Sequence, residues 1–392
     1  MVEDGRPDAS LRVAAWARSQ RPRQRVLGLF WAPGRVNLIG DHIDYLGGTV
    51  LPMSIDRGTA VLVLDRPRPG VVVHALDMPD EPAYEVASTE QSHGDWRDFV
   101  NGLLALAPAE PPDAGAELVV SGDLTGGGLS SSASFTLALA AGLAASGHLQ
   151  TLQGIELAHL ARRVEVERVG TACGLMDQLA IVHGSASGAV AIDCATAAVE
   201  PVLLELQTRE FLLIHCGQER RLADGIYNAR RAELAAGLEA LGQLPDRIPQ
   251  IDAQALPEAL TRRAEGRRVR HVITEQARVE AARQAARAAD WRAFGLAMER
   301  SHASLRDDFE VSIPPLDALV EAAIATPGCD GARLTGAGLG GWAVVLLESV
   351  AREHVLAEVA RALGTTDRAL RWFVPRPGGC LRSVPWEGIG RE

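Results

Sequence analysis

The 392-residue chain contains no lysine; all 39 of its basic residues are arginine. That absence rules out a Walker A lysine, a Schiff base and a lysine general base. A phosphate site here has to be made from backbone amides, arginine, hydroxyls and metal. Paired cysteines are missing too. Cys173, Cys194, Cys216, Cys329 and Cys380 are scattered and show no CxxC spacing. They argue against a zinc site or a disulfide frame and suit reduced thiols in a cytoplasm. No apolar run reaches membrane-spanning length. The opening MVEDGRPDAS is polar and acidic, unlike a signal peptide. A soluble cytoplasmic protein is expected. The formal net charge is −11 without a basic stripe, which argues against nucleic-acid binding but not against a nucleotide, whose phosphates a few local donors can hold.

With 47% apolar residues, the chain can bury a large core, and its length suits two lobes. The text alternates strands (Thr59–Leu64, Val71–Ala75, Ala116–Ser121, Gly188–Asp193, Phe211–Cys216, Ala343–Leu347) with helices (Ser134–Ala145, Ile155–Val169, Asp224–Leu241, Val269–His302, Leu316–Thr326, Ala351–Leu363). The order is mixed α+β, without the regular βαβ rhythm of a doubly wound sheet. A boundary near Glu205 divides residues 1–205 from 206–392.

Three glycine-rich segments stand out. Ala32–Gly48 (APGRVNLIGDHIDYLGG) gathers Asp41, His42 and Asp44 on a glycine turn just after Arg35. Carboxylates and an imidazole there suit the hydroxyls of a sugar, although ordinary turns carry such residues as well. Asp123–Ala133 (DLTGGGLSSSA) joins a strand to a helix. Its glycines let amides turn toward one point, and its serines sit at a helix start, where an anion is favoured. Leu334–Trp342 (LTGAGLGGW) is followed by a strand rather than a helix, so it is not a dinucleotide fingerprint.

In order and spacing, these segments resemble the three motifs of the GHMP kinases, and GRVNLIGDHIDYLGG resembles the galactokinase signature in particular. CGLMDQ (Cys173–Gln178) and SLRDDFEVS (Ser304–Ser312) resemble further galactokinase blocks. The resemblance runs from about Leu27 to about Leu381. It implies a two-lobed GHMP kinase fold, with an N-terminal lobe like ribosomal S5 domain 2 and a ferredoxin-like C-terminal lobe. The implied activity is ATP-dependent, Mg2+-assisted phosphorylation of the C1 hydroxyl of galactose by a monomer with small-molecule partners only.

Residue by residue, the resemblance implies that Asp177 is the catalytic base and Arg35 the arginine beside it. A carboxylate can take the proton of an alcohol, a poor nucleophile, during attack. A structural ion pair is the plain alternative for Arg35, and a helix N-cap for Asp177. The sugar would meet Asp41, His42, Ile43, Asp44, Gly174 and Tyr227. The ATP phosphates would meet Gly126, Gly127, Gly128, Leu129, Ser130, Ser131 and Ser132. Ser132 and Glu165 would hold Mg2+, although on pattern alone Glu165, in RRVEVER, reads as a solvated i,i+4 partner. The third segment would close over the phosphates from the other lobe.

The chain departs from the family where Asp41 replaces a Glu that meets the C6 end of the sugar; one methylene fewer withdraws the carboxylate by about 1.5 Å. Leu46, Leu124-Thr125 and Trp342 also differ from the usual residues. Two other readings stay open: a sister sugar-1-kinase for N-acetylgalactosamine, arabinose or a C6-modified sugar, and a non-catalytic sugar and ATP sensor.

Overall fold

Residues 26–66 make a long antiparallel hairpin, in which Val26–Asn37 and Pro52–Arg66 pair from Val26↔Leu64 to Asn37↔Pro52. The computed structural model describes residues 8–110, 112–124, 127–171, 173–219, 224–244, 246–249, 251–387 and 389. The hairpin forms the centre of a six-stranded sheet. Its order is Arg382–Ser383, Val26–Asn37, Pro52–Arg66, Gly115–Gly122, Val71–Ala75, Tyr84–Glu85. Successive side chains on a strand point to opposite faces. Val61 and Val63 accordingly pack with Leu118, Leu137 and Leu143, while Ala60, Leu62 and Leu64 pack with Val13 and Ala17 of the helix Ala9–Gln20. Both faces are covered, which explains why Thr59–Leu64 reads as a nearly unbroken apolar run.

A four-stranded antiparallel sheet follows in the order Cys329–Leu334, Trp342–Glu348, Arg209–His215, Trp372–Phe373. The helices Trp291–Asp307 and Pro314–Ala325 pack on it. A third sheet joins Thr49–Val50, Gly188–Asp193 and Ala198–Leu203. One apolar cluster runs from Val36 and Leu38 through Leu179 and Ile192 to Phe294 and Val345. The first and second sheets therefore share a core. The fold is α+β, as expected from the mixed element order.

Two expected helices differ in detail. Val269–His302 is not continuous: Ala264–Arg287 ends, Ala289 takes φ +52°, and Trp291–Asp307 restarts. The Asp290 carboxylate accepts from Ala293 N at 2.9 Å, and this cap sets the new N-terminus. The expected Ile155–Val169 helix begins at Gly154, is α-helical to Arg163, and then makes one π-helical turn over Val164–Val169 before Gly170 closes it at φ +82°. Among the described residues no helix is long and apolar enough to cross a membrane.

Candidate active site

Pro33 cannot donate to the strand ladder, and the register of the central hairpin slips between Pro33 and Arg35. The bulge turns Arg35 toward the phosphate-loop segment, where its amide bonds to Leu129 O at 3.1 Å. Its buried guanidinium donates to Asp177 Oδ1 through Nε at 2.9 Å and Nη2 at 2.6 Å, and to Gly128 O through Nη1 at 2.8 Å. Asp177 lies inside the first turn of the helix Met176–Val182, whose cap residue is Leu175, so it is not the N-cap. Its side chain is 27% exposed, against 6% for Arg35, which leaves the carboxylate within reach of a ligand.

The turn after Asn37 is held mostly by residues distant in sequence. Gly40 takes φ +105°, and a Cβ there would meet Val50 Cα at 3.0 Å. Gly40 N donates to Glu275 Oε1 at 3.0 Å, and His271 Nε2 lies 3.1 Å from the carbonyl oxygen of Asp41. Asp41 is 2% exposed. Its Oδ1 accepts from Asn37 Nδ2 at 2.8 Å, and its Oδ2 pairs with Arg333 Nη2 at 2.5 Å. Burial raises the Asp41 pKa, and Arg333 opposes that shift. His42, at φ +66°, lies with its ring centroid 4.4 Å from that of Phe309 and 5.8 Å from that of Tyr227, tilted against both. Ile43 is fully buried and accepts the amides of Leu46 and Gly48. Asp44 opens the short 3-10 turn Asp44–Leu46. Burial, then the charges of Asp177 and Asp41, push its pKa up to about 6. It lies against Gly174: a Cβ there would fall 1.8 Å from Asp44 Oδ2, so any side chain at this position would displace the Asp44 carboxylate.

The phosphate-loop segment leads into the helix Ser131–Ala145. Thr125 and Gly126 lie outside the described residues. Gly127 and Gly128 have positive φ, as does Ser130, whose Oγ is buried and unpartnered. Ser132 Oγ donates to Glu165 Oε2 at 2.9 Å, and Gln178 Nε2 donates to Glu165 Oε1 at 2.7 Å. Glu165 is 4% exposed. The solvated-face expectation fails because Glu165 continues the buried face of the preceding helix, four residues on from Ala161, while Glu167 pairs with Arg163 at the surface. Burial first, then Asp177, push Glu165 up to about 7. A buried carboxylate touching a hydroxyl beside a glycine loop is chemically suited to a divalent cation with phosphate oxygens.

The third glycine segment faces the second. A Cβ at Gly336 would meet Gly128 O at 3.3 Å, and a Cβ at Gly128 would meet Trp342 Cδ1 at 3.8 Å. Thr335 Oγ1 donates to Asn37 O at 2.8 Å. Arg35, Asp44, Glu165, Gly174 and Asp177 thus share one region with Gly128 and Ser132. Sequence reasoning missed Arg333, Glu275, His271 and Gln178. Gln178 and Arg333 adjoin motifs that were read, but nothing in the sequence marked them as buried; Glu275 and His271 lie in an Arg-rich helix with no local signal.

The Galactokinase galactose-binding signature matches residues 20–64, the GHMP kinases N terminal domain residues 99–185, and the GHMP kinases C terminal residues 282–365. A galactokinase of Roseiflexus sp. is 39% identical over 375 residues, covering 92% of each chain. The galactokinase of Homo sapiens is 36% identical over 349 residues, covering 86% of this chain and 87% of its own. The crystal structure of Lactococcus lactis galactokinase complexed with galactose matches with a TM-score of 0.86 at 29% identity, covering 96% of this chain and 99% of that one. The arginine–aspartate pair, the glycine loops and these matches agree: the chain belongs to the galactokinase family of the GHMP kinases.

Proposed function

We propose that this protein transfers the γ-phosphoryl group of ATP to the anomeric (C1) hydroxyl of galactose, giving galactose 1-phosphate and ADP. The observation that carries the reading is the pair Arg35–Asp177, joined at 2.6 Å and tied through the same guanidinium to Gly128 of the phosphate loop. Both Arg35 bonds to Asp177 go to Oδ1. Oδ2 takes the proton of the C1 hydroxyl, while Arg35 fixes the carboxylate through Oδ1 and offsets charge on the phosphoryl oxygens. Asp44, His42, Gly174 and Tyr227 line the sugar side, with Ile43 and Asp41 shaping the turn beneath. Gly126, Gly127, Gly128, Leu129, Ser130, Ser131 and Ser132 cradle the phosphates. Ser132 and Glu165 would hold Mg2+, which when bound supplies charge neutralisation to the phosphates. The lobes of residues 1–205 and 206–392 meet at this site. The enzyme acts in the cytoplasm, as a monomer.

The test is coupled ADP release with ATP and Mg2+ against galactose, 2-deoxygalactose, N-acetylgalactosamine, galacturonic acid, arabinose, glucose and fucose. The highest kcat/KM is expected on galactose; a higher value on another sugar would move the substrate. Asp177→Asn is expected to lower kcat by about 10²–10⁴-fold with sugar KM changed only a few-fold, since general-base catalysis acts in the transition state. Near-normal turnover would overturn the base assignment.

A further inference from the structure

We propose that Arg333 is a positioning residue for the sugar-binding turn, and that position 41 acts on the sugar through Arg333 rather than by offering its own carboxylate. This rests on the galactose-kinase reading of the site. Four observations carry it. Arg333 is fully buried at the end of the strand Cys329–Leu334, far in sequence from the turn it touches. Its Nη2 pairs with Asp41 Oδ2 at 2.5 Å, and its Nη1 donates to Asn37 O at 3.2 Å. The other Asp41 oxygen already accepts from Asn37. Thr335, two residues on, donates to the same Asn37 carbonyl.

Asp41 therefore has both oxygens committed to protein partners and only 3% of its side chain exposed. The shorter side chain at this position is explained by what it meets. Asp reaches Arg333 within the turn; a Glu would carry its carboxylate about 1.5 Å further and break this register. A charge buried this deeply is tolerated only when it is paired and hydrogen-bonded. Removing the guanidinium leaves Asp41 Oδ2 without its partner and the Asn37 carbonyl with Thr335 alone. The turn that presents His42 and Asp44 then loses its charged anchor on the second sheet.

The experiment is a double-mutant cycle with Arg333→Met, Asp41→Asn and the combined variant, plus Arg333→Lys. KM for galactose, KM for ATP and the thermal midpoint are measured for each. Arg333→Met is expected to raise sugar KM by about tenfold or more while ATP KM stays within about threefold, as for loss of ground-state positioning. The combined variant is expected to recover sugar KM relative to Arg333→Met, because it removes the unpaired charge. Arg333→Lys, which keeps the charge but loses the fork, should fall between wild type and Arg333→Met.

Wild-type sugar KM in Arg333→Met overturns the proposal. Additive losses in the combined variant overturn it too, since Asp41 would then act on the sugar directly. If Arg333→Met does not fold, the combined variant is compared with Asp41→Asn. A lower sugar KM in the combined variant supports the pairing, and an equal or higher one overturns it. The thermal midpoints report the Arg333–Asp41 coupling without any turnover. A wild type inactive on galactose would therefore sink the substrate reading while the coupling is still decided.

Discussion

At Glu165, burial and the nearby charge of Asp177 both favour the protonated acid, and the pKa rises from 4.5 to about 7. Because the folded value is raised, this group's contribution to stability is fully present below pH 4.5 and is lost as pH rises through about 7. Glu165→Gln removes that dependence. The melting temperature of Glu165→Gln minus that of wild type, both without ligand, should become more positive from pH 5 to pH 8; a constant difference would count against the buried charge. Added Mg2+ and nucleotide should stabilise wild type at pH 8 more than the variant. The positions of such residues were partly legible in the sequence. Arg35, Asp44, Ser132 and Asp177 lie within contiguous glycine-punctuated segments, and the structure places them in one region. Glu165 was legible only through family resemblance, because the local charge pattern pointed to solvent. Its inward direction continues the buried row Leu157, Ala158 and Ala161 of the preceding helix, a helical spacing that the flanking charges masked.

The strands, the helices and the glycine segments were largely legible because each is a local pattern. Alternation and solid apolar runs marked the strands, and strand–glycine–serine–helix order marked the second segment. What each element meets across the fold was not, since a turn carries no information about its distant neighbour. The third glycine segment shows this. Its contact with the second rests on Gly336, at φ +78° and directly over Gly128 O. Gly336→Ala should cost about 1–2 kcal/mol for a left-handed L-residue. It should also push the segment off the phosphate loop, whose carbonyl would lie 3.3 Å from the new Cβ. The expected result is a raised KM for ATP with sugar KM close to wild type. Equal rises in both would mean that the two glycine segments do not act on the nucleotide side specifically.

Across the whole molecule, the turn that carries Asp41, His42 and Asp44 comes from the central hairpin, yet most of its anchors come from beyond residue 264. Glu275 is one of them. It is fully buried, accepts from Gly40 N and from Ser301 Oγ, and pairs with Arg278 Nε at 2.7 Å. Burial opposes ionisation there, but Arg278, His271 and Arg333 together draw the pKa down to about 2. Its stabilising contribution is therefore present above the unfolded value of 4.5 and is lost as pH falls through about 2. Glu275→Gln keeps the shape and one acceptor but loses the charge. It should cost about 2–3 kcal/mol near pH 7, on the scale of a charged, buried hydrogen-bond set. The gap to wild type in urea unfolding should hold between pH 7 and pH 5 and narrow toward pH 3. Sugar KM should rise as well, because the bond from Gly40 N then ends on a neutral amide oxygen instead of a carboxylate. A stability gap that persists unchanged at pH 3 would show that Glu275 stabilises by packing alone. The turn would then owe its position to Arg333 and the hairpin, and not to this carboxylate.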